Sequence, residues 1–408
     1  MTTRRPKLAL LVMGCLIGLS AWPTEFHVVA PEDVGLSSDR LERLTRAMEN
    51  GVEEGHFPGA VAAIMRNGKI AYFETYGYRD RDAAAPTERD TIFRMASMTK
   101  PITGVAVMIL FEEGHFSLND PVSRFIPSFE NVQVAVDKEN TVPSNRPITI
   151  RDLLRHTSGI SYKKTKIYFE GTNLEEMIDW LATIPMIAHP GDSWEYGMST
   201  DVLARLVEVV SGKSFDVFLE ERIFNPLEMN DTGFYVPEEN HSRLVKMHPF
   251  GSKGQSKTGR SSATDTYLSP PAILMGGTGL VSTTMDYLRF CQMLLNDGEL
   301  DGQRILGRKA VELMHADHLG DIPSTDPKLD GGVKMGLTFG VKGDPGESGE
   351  LGSEGSYFWA GAFGTSFFID PNEALIGVFM VNGTGYGEES LAVYGPLFEH
   401  FAYQAIVD

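Results

Sequence analysis

Ser97-Met98-Thr99-Lys100 sets a hydroxyl and an amine three residues apart, a spacing that puts both on one face of a helix. A serine hydroxyl is a weak nucleophile until something takes its proton. A lysine does so only where its surroundings push it toward the neutral amine. The pair therefore asks for a dry, partly cationic pocket. Pro101 is tolerated only near a helix N-terminus, which places Ser97 at the positive end of the dipole, where an oxyanion is stabilised. Behind it, Ile102, Val105, Ala106, Ile109 and Leu110 recur at three and four residues and describe a buried helix. A second copy of the spacing, Ser161-Tyr162-Lys163-Lys164, lies in a polar stretch with no such period, and its lysines read as a solvated face. Tyr196, in Trp194-Glu195-Tyr196-Gly197, is the candidate third group, because a phenol beside a cationic lysine can carry a proton from serine to a leaving group.

The elements that must position these side chains follow from period and turn chemistry. Ser37 or Ser38 caps a helix with Leu41, Leu44, Met48 and Val52 on one face, ended near Gly55. Val61–Met65 and Ile70–Phe73 flank Asn67-Gly68, a strong hairpin signal, and Ala362–Ile369 and Ala374–Val381 bracket a second turn at Asp370-Pro371-Asn372-Glu373. Residues 97 to 235 are mostly helical by period. One helix there carries Val202, Leu203, Leu206, Val207 and Val210, read as core positions only, and closes at Gly212 before Ser214 opens the next. A last helix starts near Leu391 and is broken or begun at Pro396. Hairpins at both ends with helices between predict an α+β fold: an antiparallel sheet flanked by helices and built from both chain ends, residues 23–95 and 270–408, with a mainly helical domain, 96–269, inserted. The two parts would meet beside Ser97.

The 408 residues carry 36 Lys plus Arg against 55 Asp plus Glu, a net charge of −19, which argues against nucleic acid and anionic lipid as partners. Residues 1–22 read as a signal peptide: Arg4, Arg5 and Lys7, an apolar run from Leu8 to Leu19, then Ser20 and Ala21, with export and cleavage expected there. Val12-Met13-Gly14-Cys15 as a lipid-attachment box is the competing reading. The run is too short for a stable membrane span. With only Cys15 and Cys291, no internal disulfide is expected in the mature chain. His315-Ala316-Asp317-His318 lacks a further clustered ligand, so no metal and no cofactor are inferred.

Taken together, Ser97-Met98-Thr99-Lys100, Leu153-Leu154-Arg155-His156-Thr157-Ser158-Gly159, Tyr196 ahead of a helix ending in Ser211-Gly212, and Phe224-Asn225-Pro226-Leu227-Glu228-Met229 resemble the serine β-lactamase and penicillin-binding superfamily. Within it the chain most resembles the class C-like branch and the family VIII carboxylesterases, from about Gly35 onward. The resemblance implies Ser97 as nucleophile, Lys100 and Tyr196 as its proton-handling partners with the base left open, and the backbone N–H groups of Ser97 and Ala362 as an oxyanion hole. It implies that Trp359-Ala360-Gly361 stands where β-lactamases carry Lys-Thr-Gly, with Trp359 a substrate wall and Gly361 allowing close approach of the strand. Lys257-Thr258-Gly259, in the polar loop 251–262, is read as a decoy.

Two departures shape the expected substrate. Met198 stands where β-lactamases commonly carry an asparagine that holds the substrate amide, and Trp359 replaces a cation that would pair with a carboxylate. The resemblance therefore implies a serine carboxylesterase acting on short-chain, mainly apolar acyl esters through an acyl-serine. A β-lactamase, a D-alanyl-D-alanine peptidase and a non-catalytic penicillin-recognising sensor are the competing expectations. The acidic loop Gly343–Ser356 is expected to gate the pocket.

Overall fold

Asn67 and Gly68 both take positive φ, 53° and 73°, as a tight hairpin turn requires, and they join β1 (Gly59–Arg66) to β2 (Lys69–Asp80). In the computed structural model, which describes residues 26–163, 171–249, 267–324, 326, 329, 331–384 and 391–408, this hairpin lies in an eight-stranded sheet. The remaining strands are β3 (Ala85–Pro86), β4 (Lys334–Met335), β5 (Gly340–Val341), β6 (Tyr357–Ala360), β7 (Ser366–Asp370) and β8 (Leu375–Val381). Their spatial order is β4-β5-β6-β7-β8-β1-β2-β3, antiparallel throughout. The sheet is thus α+β in kind and drawn from both ends of the chain, and residues 96–269 add no strand to it among the described residues. The leader, Cys15, Lys164 and Lys257-Thr258-Gly259 lie outside the described residues.

β1 is buried along its whole length because both faces of the sheet are covered. Val61, Ala63 and Met65 enter the larger core, while Ala60, Ala62 and Ile64 pack with Leu41, Leu44 and Met48 of α1 (Ser38–Glu53) and with Tyr394 and Phe398 of the C-terminal helix, Leu391–Gln404. Pro396 sits inside that last helix and neither begins nor breaks it. At the second hairpin, Asp370 Oδ1 accepts the N–H of Asn372 (2.9 Å) and of Glu373 (3.2 Å). β7 starts at Ser366 rather than Ala362, because the Gly361 N–H bonds the Thr365 carbonyl (2.7 Å) and turns the chain there.

The helical part comprises α2 (Thr99–Glu112), α3 (Ile150–Leu154), α4 (Leu174–Ala182), α5 (Ser199–Ser211) and α6 (Phe215–Leu219); α7 (Thr284–Leu295) packs on the sheet. Gly212 closes α5 at φ 70°. α3 opens with a capping box: Thr149 Oγ1 accepts the Asp152 N–H, and Asp152 Oδ2 accepts the Thr149 N–H. The same buried carboxylate takes Arg146 (2.6 Å), Arg155 (3.1 Å) and Thr157 Oγ1 (2.9 Å), so it ties α3 to the loop that follows. Burial alone would raise its pKa, but Arg146 and Thr149 outweigh that and hold it at about 2. The folded value lies below the unfolded one. Its contribution is therefore fully present above about pH 4 and is lost as the pH falls toward about 2. Asp152→Ala should cost about 3–5 kcal/mol in urea unfolding at pH 7, and the gap to the parent should narrow in titrations run below pH 4.

Candidate active site

The turn that presents Ser97 is fixed on three sides. Phe93–Arg94 pairs with Val281–Ser282, and the Met95 N–H continues that ladder to the Leu280 carbonyl (2.9 Å). Ala96 then takes φ 45°, a left-handed conformation that costs a non-glycine residue about 1–3 kcal/mol and persists only where its neighbours impose it. Thr365 Oγ1 donates to the Met95 carbonyl (3.2 Å) and Tyr287 Oη to the Met98 carbonyl (2.9 Å), holding the turn from before and behind. Ser97 lies in a short 3-10 turn, Ala96–Met98, that leads into α2 at Thr99; it is not within the α-helix itself. α2 is apolar and buried on every side down to Leu110, not on one face only.

Lys100 Nζ lies 3.2 Å from Ser97 Oγ and donates to the Gly277 carbonyl (2.8 Å), with the side chain wholly buried. The site is as dry as the chemistry asks, but its dryness does not neutralise the lysine. Burial pushes the Lys100 pKa down, yet Tyr162, Tyr196 and Asp201 together outweigh it and leave it raised above the ordinary lysine value. Lys100 is therefore held as an ammonium, contrary to the neutral amine that the Ser/Lys pairing suggested.

Tyr196 is half-buried, its ring centroid 4.7 Å from Lys100 Nζ. It stacks on Trp194 at 5.7 Å and 10° and meets His156 at 5.1 Å. The segment bearing it is bound to the loop after α3: the Glu195 N–H donates to the His156 carbonyl (2.8 Å), and the Tyr162 N–H to the Tyr196 carbonyl (3.2 Å). Trp359, on β6, is 5% exposed and stands 5.8 Å from the Tyr196 ring, so Ser97, Lys100, Tyr196 and Trp359 converge. β5 pairs only with Tyr357 and Phe358, which leaves the Trp359–Ala360 end of β6 as an open edge on that side. Met198 does not join the wall in the way expected of it. At 1% exposure it belongs to the main core at the start of α5 and offers a ligand almost no surface.

Gly361 is needed for a different neighbour than substrate. A Cβ there would lie 2.4 Å from the Met95 carbonyl and 2.2 Å from Thr365 Oγ1, so the glycine lets the end of β6 dock on the turn carrying Ser97. Neither the N–H of Ala362, the next residue, nor that of Ser97 is taken by a backbone acceptor outside regular helices and strands among the described residues. Gly361→Ala should lower stability by about 1–3 kcal/mol through overpacking and reduce turnover at least tenfold, read by thermal melting and by kcat.

Two groups at the site were missed in the sequence. Tyr162, part of the second S-x-x-K, points its ring at Lys100 (5.9 Å), while Lys163 is exposed and pairs with Glu195 (3.3 Å). Asp201, on the helix read as core only, is a wholly buried carboxylate facing Lys100. The loop 343–356 is anchored at the end of the β6–β7 ladder away from Gly361, where the Ser353 N–H bonds Asp370 and Glu350 meets Lys342 Nζ. Among the described residues no group of three or more His, Cys, Asp and Glu is placed to hold a metal ion, and no helix is long and apolar enough to cross a membrane.

Comparison with known proteins agrees with this geometry. A protein of Mycobacterium tuberculosis (strain CDC 1551 / Oshkosh), itself uncharacterized, is 36% identical over 349 residues, covering 81% of this chain and 86% of its own length. Esterase EstB of Burkholderia gladioli is 28% identical over 373 residues, 84% and 90% of the two chains. Among solved structures, EstCE1, described as a hydrolase with promiscuous acyltransferase activity, superposes with a TM-score of 0.75 at 25% identity over 90% of this chain and 98% of its own. The family model described as Beta-lactamase matches residues 44–394, which include the Ser97 turn, Lys100, Tyr196 and Trp359, and the chain therefore belongs to the beta-lactamase family of serine hydrolases.

Proposed function

We propose that this protein is a carboxylesterase that cleaves short-chain, largely apolar acyl esters through an acyl group carried on Ser97. The observation that carries the reading is the buried Ser97–Lys100 pair, 3.2 Å apart, facing Tyr196 and walled by Trp359 on a strand, Tyr357–Ala360, that bears no cation. Ser97 Oγ attacks the ester carbonyl carbon while its proton passes to the Lys100–Tyr196 pair. The carbonyl oxygen, now negative, rests on the N–H groups of Ser97 and Ala362. Collapse breaks the bond to the alcohol, which leaves with that proton, and water then attacks the acyl carbon and restores Ser97. An aromatic-walled site whose facing strand bears no cation to pair with a substrate carboxylate favours neutral esters over anionic β-lactams or peptides. EstB, an esterase by name, supports the same direction. Export through the leader at residues 1–22 belongs to this reading and is tested by N-terminal sequencing of the exported protein.

The test is a substrate panel on the purified protein. Short-chain aryl esters should turn over much faster than cephalosporins or D-alanyl peptides. Faster cephalosporin turnover would replace the esterase reading with a β-lactamase, and a long-lived adduct with negligible turnover would replace it with a sensor.

A further inference from the structure

A cleft of about 650 Å³ opens between α6, the loop 229–237 and the segment 270–274. None of Ser97, Lys100, Tyr196 and Trp359 lines it, so it is separate from the catalytic centre. Its size falls in the range, about 300–1,000 Å³, of small-molecule sites. Ile92, Phe224, Met229, Phe234 and Val236, all buried, make an apolar floor. α6 runs on into a single π turn, Glu220–Phe224, closed by the Asn225 N–H on the Glu220 carbonyl (2.8 Å). Such turns are rare and occur frequently at functional sites. Asp216, Glu220 and Phe224 follow one another at four residues and all line the cleft, so this stretch brings it both acids and a ring.

The walls are fixed from behind. Gly233 exchanges both backbone bonds with Val281 (3.1 and 2.8 Å), Asp286 Oδ2 accepts the Asp231 N–H and Thr232 Oγ1 (both 2.8 Å), and the Val236 N–H bonds the Tyr267 carbonyl (2.8 Å). The opposite wall starts at Pro270-Pro271 and runs into Gly276, whose carbonyl takes Thr103 Oγ1 of α2 (2.7 Å). A ligand therefore meets a cleft already shaped, and little ordering opposes its binding. The charge of the lining selects that ligand. It includes three carboxylates and, among the described residues, no lysine, arginine or histidine. Arg243 takes both oxygens of Asp231 (2.7 and 2.6 Å). Asp216 accepts the N–H of its neighbour Val217 (2.9 Å), and neither it nor Glu220 forms an ion pair among the described residues. Both are exposed and stand at the mouth. Two unmatched negative charges above an apolar floor suit an organic cation, and the rings of Phe224, Phe234 and Tyr235 add their own attraction for one.

We propose that this cleft is a second ligand site, taking an amphipathic organic cation: an ammonium that reaches Asp216 and Glu220, on an aromatic or branched apolar body that covers the floor. The site is independent of ester turnover and stands whether or not the function proposed above holds.

The experiment is calorimetric titration of the full-length protein with three probes that share one body: 4-phenylbutylammonium, 4-phenylbutanol and 4-phenylbutyrate. The ammonium should bind one to one and about fivefold more tightly than the alcohol, with the carboxylate weakest. Asp216→Asn with Glu220→Gln should bring the ammonium down to the affinity of the alcohol and leave the alcohol unchanged. Gly233 lines the cleft, and a Cβ on it would meet nothing closer than the Tyr235 carbonyl at 3.7 Å, so Gly233→Phe can fill the space. It leaves the net charge as it is and should abolish binding of all three. No saturable binding of the ammonium by the parent overturns the proposal. So does binding that survives Gly233→Phe, because the probe then sits elsewhere, the catalytic centre included. Should circular dichroism show that Gly233→Phe does not fold, the doubly substituted protein, altered only at exposed positions, decides: an unchanged affinity for the ammonium overturns the proposal.

Discussion

Ser97→Ala is expected to cut ester turnover by about 10,000-fold or more in kcat, with the melting temperature almost unchanged. The serine side chain is small, and its loss leaves Lys100 Nζ still bonded to the Gly277 carbonyl, so no buried ammonium is stranded. The turn itself is imposed from outside, by Thr365 on the Met95 carbonyl and Tyr287 on the Met98 carbonyl, and does not depend on the hydroxyl. What remains should be the rate that binding and the two N–H groups provide without a nucleophile. Because Ser97, Lys100 and Tyr196 act as one unit, adding Lys100→Ala to Ser97→Ala should lower kcat little further, and steady-state kinetics of the two variants check both statements.

Tyr196→Phe should lower kcat by about 100- to 10,000-fold while KM changes only a few-fold. Phenylalanine keeps the ring that stacks on Trp194 and meets Trp359, so the wall is preserved and only the phenol oxygen is removed. Tyr196→Ala removes the wall as well and should raise KM in addition. That split between kcat and KM, measured on one aryl ester, separates proton transfer from substrate contact. A Tyr196→Phe enzyme within a few-fold of its parent would show that the Ser97 proton goes elsewhere.

Local chemistry was legible in the sequence and long-range chemistry was not. The S-x-x-K spacing, the Asn67-Gly68 turn, the Asp370 turn and the glycine closing α5 each depend on residues within a few positions of one another, and each recurs in the structure. The Lys100–Gly277 bond spans 177 residues and the Thr365–Met95 bond 270, so no period or motif announces them. The charge of Lys100 was misjudged for the same reason. Desolvation is foreseeable from a buried helix, but the groups that oppose it, Tyr162, Tyr196 and then Asp201, come from other segments, and Asp201 on α5 reads as an ordinary first-turn acid. Tyr162 was passed over because its neighbours Lys163 and Lys164 looked solvated, and Lys163 is; the tyrosine between the buried Ser161 and that lysine turns inward. A glycine such as Gly361 declares that something comes close, not what: here it is the Met95 carbonyl.

The most direct measurement is a rapid acid quench during hydrolysis of a short-chain aryl ester, followed by peptide mapping. One acyl mass should appear on the peptide containing Ser97, rise in the burst and be absent from Ser97→Ala. An acyl group on any other residue, or full turnover by Ser97→Ala, would contradict the assignment of Ser97 as the nucleophile.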